Sequence, residues 1–183
     1  MLAKSIFDYL FALILLPVLL PTILILVIIS SFDTKEFGIF SQKRIGKNGL
    51  KFTIYKIRSM KENAGKKRVT SFGRFLRKFK LDEIPQIFNI LSGDMSFVGP
   101  RPDIAGYADE LKGNDRIILS MKPGITGPAQ LAFRNEEEIL KKQENPLQYN
   151  DEVLWPQKVQ INKKYVQNWS FSKDFNYIIK TIL

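Results

Sequence analysis

Hydrophobic and polar positions change pattern along the chain. From Tyr9 to Phe32 there are 24 residues without a charge, mostly Leu, Ile and Val, bounded by Asp8 and Asp33. That run is longer than the roughly 20 apolar residues a membrane helix needs. A cleavable signal peptide fits poorly. The apolar core is too long, the basic flank is Lys4 plus the amino terminus, and no small-x-small site follows. A buried soluble helix fits no better, because the segment has no polar face. Pro17 and Pro21 each lack an amide hydrogen and clash with the preceding turn, and their spacing puts both bends on one side. With Lys4 before the run and Lys35, Lys43 and Arg44 after it, flanking charge leaves two topologies open. One is a kinked single span. The other is a helix-break-helix hairpin that returns to the cytoplasmic leaflet. Carbonyls freed at a break are costly in hydrocarbon, which favours the kinked span on physical grounds alone.

Beyond Asp33 the pattern is that of a soluble domain. Ile39–Arg44 and Phe52–Arg58 predict two short strands around Gly46-Lys47-Asn48-Gly49. Thr70–Lys80 predicts a helix with Phe72, Phe75, Leu76 and Phe79 at helical spacing, backed by Arg74, Arg77, Lys78 and Lys80. Such a helix suits a membrane interface and a protein core equally. Pro85 then places Asp82 and Glu83 where one helix ends and the next, through about Leu91, begins. Glu136 to Glu152 is acidic and predicts a surface helix followed by a loop at Asn145-Pro146. At the C-terminus Phe175, Ile178, Ile179 and Ile182 form a helical stripe behind Ser170 or Ser172 as N-cap. Trp169 and Tyr177 suit either a membrane interface or a core.

Composition narrows the chemistry. The 183 residues predict one domain, and they include no Cys and no His. That excludes a disulfide framework, thiolate metal sites and imidazole catalysis, so any chemistry falls to carboxylates or hydroxyls. The formal charge is +10, and fourteen Lys/Arg against Glu62 alone lie between Lys43 and Leu81. A basic surface of that density predicts an anionic partner. Neither a P-loop nor a dinucleotide-binding glycine motif is present. Within Leu81–Pro102, the adjacent carboxylates Asp82 and Glu83 precede Gly99-Pro100-Arg101-Pro102. Two prolines fix the backbone around Arg101, whose planar fork suits phosphate oxygens. Pro123-Gly124-Ile125-Thr126-Gly127-Pro128 is a second rigid turn, where glycine permits close approach to a ligand. Each of these units also has a plain reading, as a helix cap or a tight turn.

Taken together, these motifs resemble the monotopic phosphoglycosyl transferases, small bacterial membrane sugar-phosphate transferases. The resemblance begins with Lys4, Asp8 and Pro21, then Gln42-Lys43-Arg44-Ile45-Gly46 and Tyr55-Lys56-Ile57-Arg58-Ser59-Met60. It continues through Phe72-Gly73, Leu81-Asp82-Glu83-Ile84-Pro85-Gln86, Gly93-Asp94-Met95-Ser96, both rigid turns, and Asn168-Trp169-Ser170-Phe171. It implies a mainly α fold with a small β-hairpin (α+β) in the minimal single-domain form. Residues 1–34 would be a re-entrant hairpin broken at Pro21, with Pro17 as an additional break, and residues 35–183 a catalytic domain with interfacial amphipathic helices. That implication reverses the preference for a kinked span.

The implied reaction moves a sugar 1-phosphate from a UDP-sugar to polyprenyl (undecaprenyl) phosphate, releasing UMP. Asp82 and Glu83 would be catalytic, with Asp82 as covalent nucleophile and ligand to Mg²⁺. Lys56, Arg77 and Arg101 would hold phosphates. The role of Glu83 is left open between orienting the metal and assisting proton transfer. The place implied is the cytoplasmic face of a bacterial inner membrane, at the first step of glycan assembly, with downstream glycosyltransferases as partners. Three positions depart from the family pattern: Leu20 replaces a Ser before the hairpin proline, Lys80 a Ser or Thr two residues before Asp82, and Asn162 an Asp. A nucleic-acid surface, with bases stacked on the interleaved aromatics, leaves Asp82 and Glu83 unexplained and is not expected.

Overall fold

The computed structural model describes residues 2–63 and 65–183, with Ile182 described by its backbone alone. Helices dominate, and among the described residues the strands pair only two at a time. Contacts divide the chain into two compact units, residues 1–44 with 52–95, and residues 45–51 with 96–183.

In the first unit, helix α1 (Leu2–Thr34) runs continuously through Pro17 and Pro21. The expected helix-break-helix is therefore not an interruption of the helix. Each proline forfeits one hydrogen bond, but in an apolar segment every further opened backbone group is costly, so the ladder resumes at once. Ile14, Val18, Leu24, Ile25 and Ile28 are exposed along it, whereas both ends bury polar side chains. Lys4 and Asp8 form an i,i+4 pair at 4.0 Å at one end, and Ser30 and Thr34 are buried at the other. Ser30 Oγ donates to the Arg58 carbonyl at 2.6 Å, and Ser31 Oγ accepts from the Gly38 amide at 2.8 Å. A Cβ on Gly38 would collide with the Val27 carbonyl, so glycine lets the departing chain lie against the last turn.

Strands β1 (Ile39–Ile45) and β2 (Lys51–Ile57) pair as expected, and Asn48 and Gly49 in the connecting turn take left-handed φ of 59° and 81°. A second hairpin was not legible in the sequence: β3 (Met60–Asn63) pairs antiparallel with β4 (Lys66–Val69). Its strands are polar on both faces and so lack the alternation that marks a strand. Helix α2 (Ser71–Lys78) starts at Thr70, whose Oγ1 accepts from the Gly73 amide at 2.8 Å. The 3-10 turn Leu81–Gln86 leads into α3 (Ile87–Leu91). Asn89 on α3 is buried and reaches β2, accepting from the Tyr55 amide at 3.2 Å and donating to the Thr53 carbonyl at 2.7 Å.

In the second unit, β5 (Ser96–Val98) pairs in parallel with β6 (Gly124–Thr126). This brings the two rigid turns onto each other: the Gly99 amide donates to the Thr126 carbonyl and the Gly124 amide to the Pro100 carbonyl, both at 2.9 Å. A Cβ on Gly124 would strike the Gly99 amide, and one on Gly127 the Gly99 carbonyl. These glycines therefore serve backbone-on-backbone packing in place of the ligand approach expected of them. Helices α4 (Pro128–Ala132), α5 (Glu136–Lys141), α6 (Pro146–Tyr149), α7 (Trp155–Gln167) and α8 (Phe171–Ile182) follow.

Asn145-Pro146 begins α6 and is not a loop. Asn145 Oδ1 accepts from the Gln148 amide at 3.2 Å and Pro146 fills the first helical position. A π-helical stretch, Asn150–Leu154, joins α6 to α7. Ser170 caps α8, as one of the two expected candidates. The C-terminal stripe divides: Ile178, Tyr177 and Trp169 pack on the Val98–Met121–Tyr165 core, while Phe171, Phe175 and Ile179 stand exposed. Ile182 lies outside the described side chains. Asp174, buried, accepts from Tyr165 Oη at 2.6 Å and Trp169 Nε1 at 2.9 Å, which fixes Trp169 as a core residue.

Replacing Asn89 by Ala leaves two backbone groups of β2 without partners. The expected loss is about 1–3 kcal/mol, measurable as a lower midpoint in thermal or urea unfolding of the detergent-solubilised protein.

Candidate active site

The site is built around a sharp backbone reversal. Helix α2 ends at Lys78, and Lys80 takes a left-handed φ of 56°, a conformation that disfavours any side chain except glycine's hydrogen. That reversal turns the chain into Leu81–Gln86, with Asp82 and Glu83 at the helix junction expected from Pro85. Both carboxylates are buried, at 8% and 6% exposure. Pro85 and Gln86 are buried behind them.

Three cations come to the pair from different elements. Lys56 on β2 donates to Glu83 Oε1 at 2.7 Å, a partly buried, charge-assisted bond. Its position follows from Asn89, which clamps the β2 backbone at Thr53 and Tyr55. Arg77 is carried by α2, which is docked tightly on Ser59. A Cβ on Gly73 would collide with the Ser59 carbonyl, and that carbonyl accepts from the Thr70 amide at 3.2 Å. Arg77 Nε in turn donates to Ser59 Oγ at 3.0 Å. Lys80 is exposed at the reversal itself.

These groups set the charge state of Asp82. Burial raises its pKa above the ordinary aspartate value, and the adjacent Glu83 raises it further. Lys56, Lys80 and Arg77 pull it back down. Asp82 Oδ1 is buried and has no hydrogen-bond partner among the described residues. An unpartnered carboxylate oxygen ringed by cations is suited to accept a phosphorus centre or a hard metal ion.

A magnesium ion fits this donor set. No group of three or more metal-ligating side chains occurs among the described residues. Mg²⁺ characteristically takes one or two carboxylates and completes its shell with substrate phosphates and water. Asp82 Oδ1 and the Glu83 carboxylate would supply that protein share.

Of the residues expected from sequence, Asp82, Glu83, Lys56 and Arg77 lie together in the first unit. Arg101 belongs to the second unit, where it follows the paired rigid turns and is exposed. Asn162 is also in the second unit, buried on α7 with its Oδ1 unpartnered among the described residues. Sequence reasoning did not single out Asn89 or Ser59 as supports. Asn89 on a short apolar helix carried a signal, since a buried amide must bond to something.

Two buried carboxylates beside cations, in a chain whose first helix is long and apolar enough to cross a membrane, are features that a membrane transferase of anionic substrates would need. The comparisons agree: the family model for bacterial sugar transferases matches residues 1–183, so the chain belongs to that family and is an enzyme of the phosphoglycosyl transferase type. It is 33% identical to the uncharacterized sugar transferase EpsL of Bacillus subtilis over all of this chain and 86% of that one. It is 34% identical to the UDP-glucose:undecaprenyl-phosphate glucose-1-phosphate transferase of Xanthomonas campestris, over 98% of this chain and 38% of that one. It is 31% identical to the UDP-galactose-lipid carrier transferase of Erwinia amylovora, over 98% of this chain and 39% of that one. The chain thus spans most of EpsL but about two fifths of the other two.

Because the folded state holds Asp82 with a raised pKa, its ionisation opposes folding. Stability from this group is present at low pH and is lost as pH rises through the folded pKa. Asp82→Asn is therefore expected to raise the Tm at neutral pH in the presence of a chelator. The expected rise is a few degrees, about 1 kcal/mol corresponding to about 2–4 °C at this size. Calorimetry of both proteins across acid to neutral pH checks this, and the gap should close on acidification.

Proposed function

We propose that this protein transfers a sugar 1-phosphate from a UDP-sugar to polyprenyl phosphate through a covalent aspartyl-phosphosugar. The observation that carries the reading is the buried, unpartnered Oδ1 of Asp82 among Lys56, Arg77 and Lys80. The family assignment and the relatives' names supply the substrate class. Those names specify glucose, galactose and N-acetylgalactosamine, the last at 44% identity in one relative but over only 60% of this chain, so they support a UDP-sugar donor without fixing the sugar.

Ionised Asp82 attacks the sugar-bearing phosphorus, forming an acyl phosphate as the bond to the bridging oxygen breaks and UMP leaves. A phosphate oxygen of the polyprenyl phosphate then attacks the same phosphorus. The bond from phosphorus to the Asp82 carboxylate oxygen breaks, giving polyprenyl-diphosphate-sugar and restoring the carboxylate. Lys56 and Arg77 hold phosphate oxygens, and Glu83 fixes Lys56 through the 2.7 Å bond. Mg²⁺ held by Asp82 with Glu83 would neutralise charge on the diphosphate.

In the same proposal α1 is a bent, re-entrant anchor on the cytoplasmic face, and residues 35–183 are the catalytic part. What supports re-entry is the burial of polar side chains at both ends of a helix whose middle is apolar and exposed. A straight helix of 33 residues is about 50 Å long against a hydrocarbon core of about 30 Å. A bend at the two prolines brings both polar ends back to one headgroup layer. Single Cys substitutions at Ser5 and Ser41 should then react with an impermeant thiol reagent from the same side.

UMP release from a panel of UDP-sugars tests the chemistry. Turnover that needs polyprenyl phosphate and falls by at least about 10³-fold in Asp82→Asn is expected, with a stoichiometric UMP burst when acceptor is omitted. Full activity in Asp82→Asn would overturn the covalent step. The acid limb of the pH profile is expected above the ordinary aspartate range, because burial disfavours the ionised nucleophile.

A further inference from the structure

The catalytic roles of Lys56, Arg77 and Lys80 leave the β3–β4 hairpin without a function. Lys61, Lys66, Lys67 and Arg68 stand exposed on its two strands with a single acid, Glu62. None of those four basic side chains makes an ion pair or hydrogen bond among the described residues. The register sets Arg68 directly opposite Lys61, a like-charge pair that opposes the hairpin, and on the other face Glu62 opposite Lys67, an opposite-charge pair that favours it. A two-stranded ribbon with no apolar face is marginal in water on its own. Such an element gains stability from an anionic counter-surface.

Helix α1 fixes the level at which the hairpin meets such a surface. The uncharged run ends at Phe32, and Ser30 Oγ donates to the Arg58 carbonyl, two residues before β3. The base of the hairpin is thus tied within one turn of the point where α1 leaves its apolar stretch, which is headgroup depth for an inserted helix. At its other end, β4 passes through Thr70 into α2, where Phe75 and Phe79 are 47% and 56% exposed.

We propose that the β3–β4 hairpin is a docking arm for acidic phospholipids, with Lys61, Lys66 and Arg68, which share one face of the ribbon by its register, on their headgroup phosphates. The inference rests on α1 lying in a bilayer. Single-stranded nucleic acid is disfavoured as the partner, because the hairpin strands carry no aromatic ring on which a base stacks. Basic residues beside a membrane bind acidic lipid with roughly fivefold per cation, and salt weakens them within a Debye length.

The full chain contains no cysteine, so Asn63→Cys carrying an environment-sensitive fluorophore reports the hairpin tip alone. The probe is read on vesicles of phosphatidylcholine, and on vesicles with phosphatidylglycerol added, after flotation of the protein with each. Flotation with both vesicles, with a blue shift only on the acidic ones that raised salt reverses, is the expected result. Changing Lys61, Lys66 and Arg68 together to Gln should abolish the shift and leave flotation intact. An equal signal on both vesicles, a shift that persists in the triple variant, or a shift that appears only on adding a UDP-sugar would overturn the proposal. Flotation with acidic vesicles alone would overturn the anchor reading of α1 and, with it, the hairpin placement argued from α1. Flotation with neither would overturn both.

Discussion

Two adjacent carboxylates taken out of water are the constraint on which the first unit is organised. Asp82 and Glu83 are each less than a tenth exposed, and Glu83 adds to the cost of ionising Asp82. The unit meets that cost unevenly. Glu83 receives a direct bond from Lys56, whereas Asp82 is surrounded by cations and keeps a buried oxygen without a partner. The unequal treatment separates one fixed carboxylate from one available carboxylate, the general way in which a pair of acids acquires two roles.

Holding the cations in place accounts for much of the neighbouring structure. Lys56 is fixed because Asn89 bonds the backbone of β2 on its N-terminal side. Arg77 is fixed because Gly73 allows α2 to lie on the Ser59 carbonyl. Lys80 adopts a left-handed backbone that glycine would take at less cost, by about 1 kcal/mol. A lysine there exchanges backbone strain for a positive charge beside Asp82, and the downward pull it exerts on that carboxyl is the return. Lys80 is also the position where the family resemblance leads one to expect a hydroxyl, so the departure has an electrostatic consequence.

Elements with strong local codes were legible in the sequence. The apolar run, the first hairpin with its Gly-Lys-Asn-Gly turn, the capped α2 and the carboxylates at Pro85 all follow from periodicity or turn chemistry. What failed did so where tertiary context decides. The β3–β4 hairpin has no apolar alternation to read. Asn145-Pro146 combines an excellent N-cap with an excellent first helical residue, and so opens a helix where an Asn-Pro pair suggested a loop. The glycines of the second rigid turn are used against Gly99, a partner distant in sequence. In the C-terminal stripe, periodicity gave the face but not its destination. Asp174 pins Trp169 into the core and leaves Phe171, Phe175 and Ile179 outside. Of the candidate site, the carboxylates and two cations were found from sequence, while the residues that aim them were not, because a supporting bond leaves no motif.

The two prolines of α1 illustrate how the solvent decides between a break and a bend. In water a proline in mid-helix readily ends it, since the freed carbonyls find hydrogen bonds elsewhere. In hydrocarbon those carbonyls have nowhere to go, and each residue left non-helical adds to the cost. A continuous helix with two adjacent defects limits the loss to the bonds the prolines cannot make. Leu20 adds no hydroxyl to satisfy a freed carbonyl, so any bend at Pro17 and Pro21 leaves those groups to the apolar medium. A second proline one turn away would divide any such bend between two sites, and a shallow bend at each would open fewer backbone groups than one sharp break.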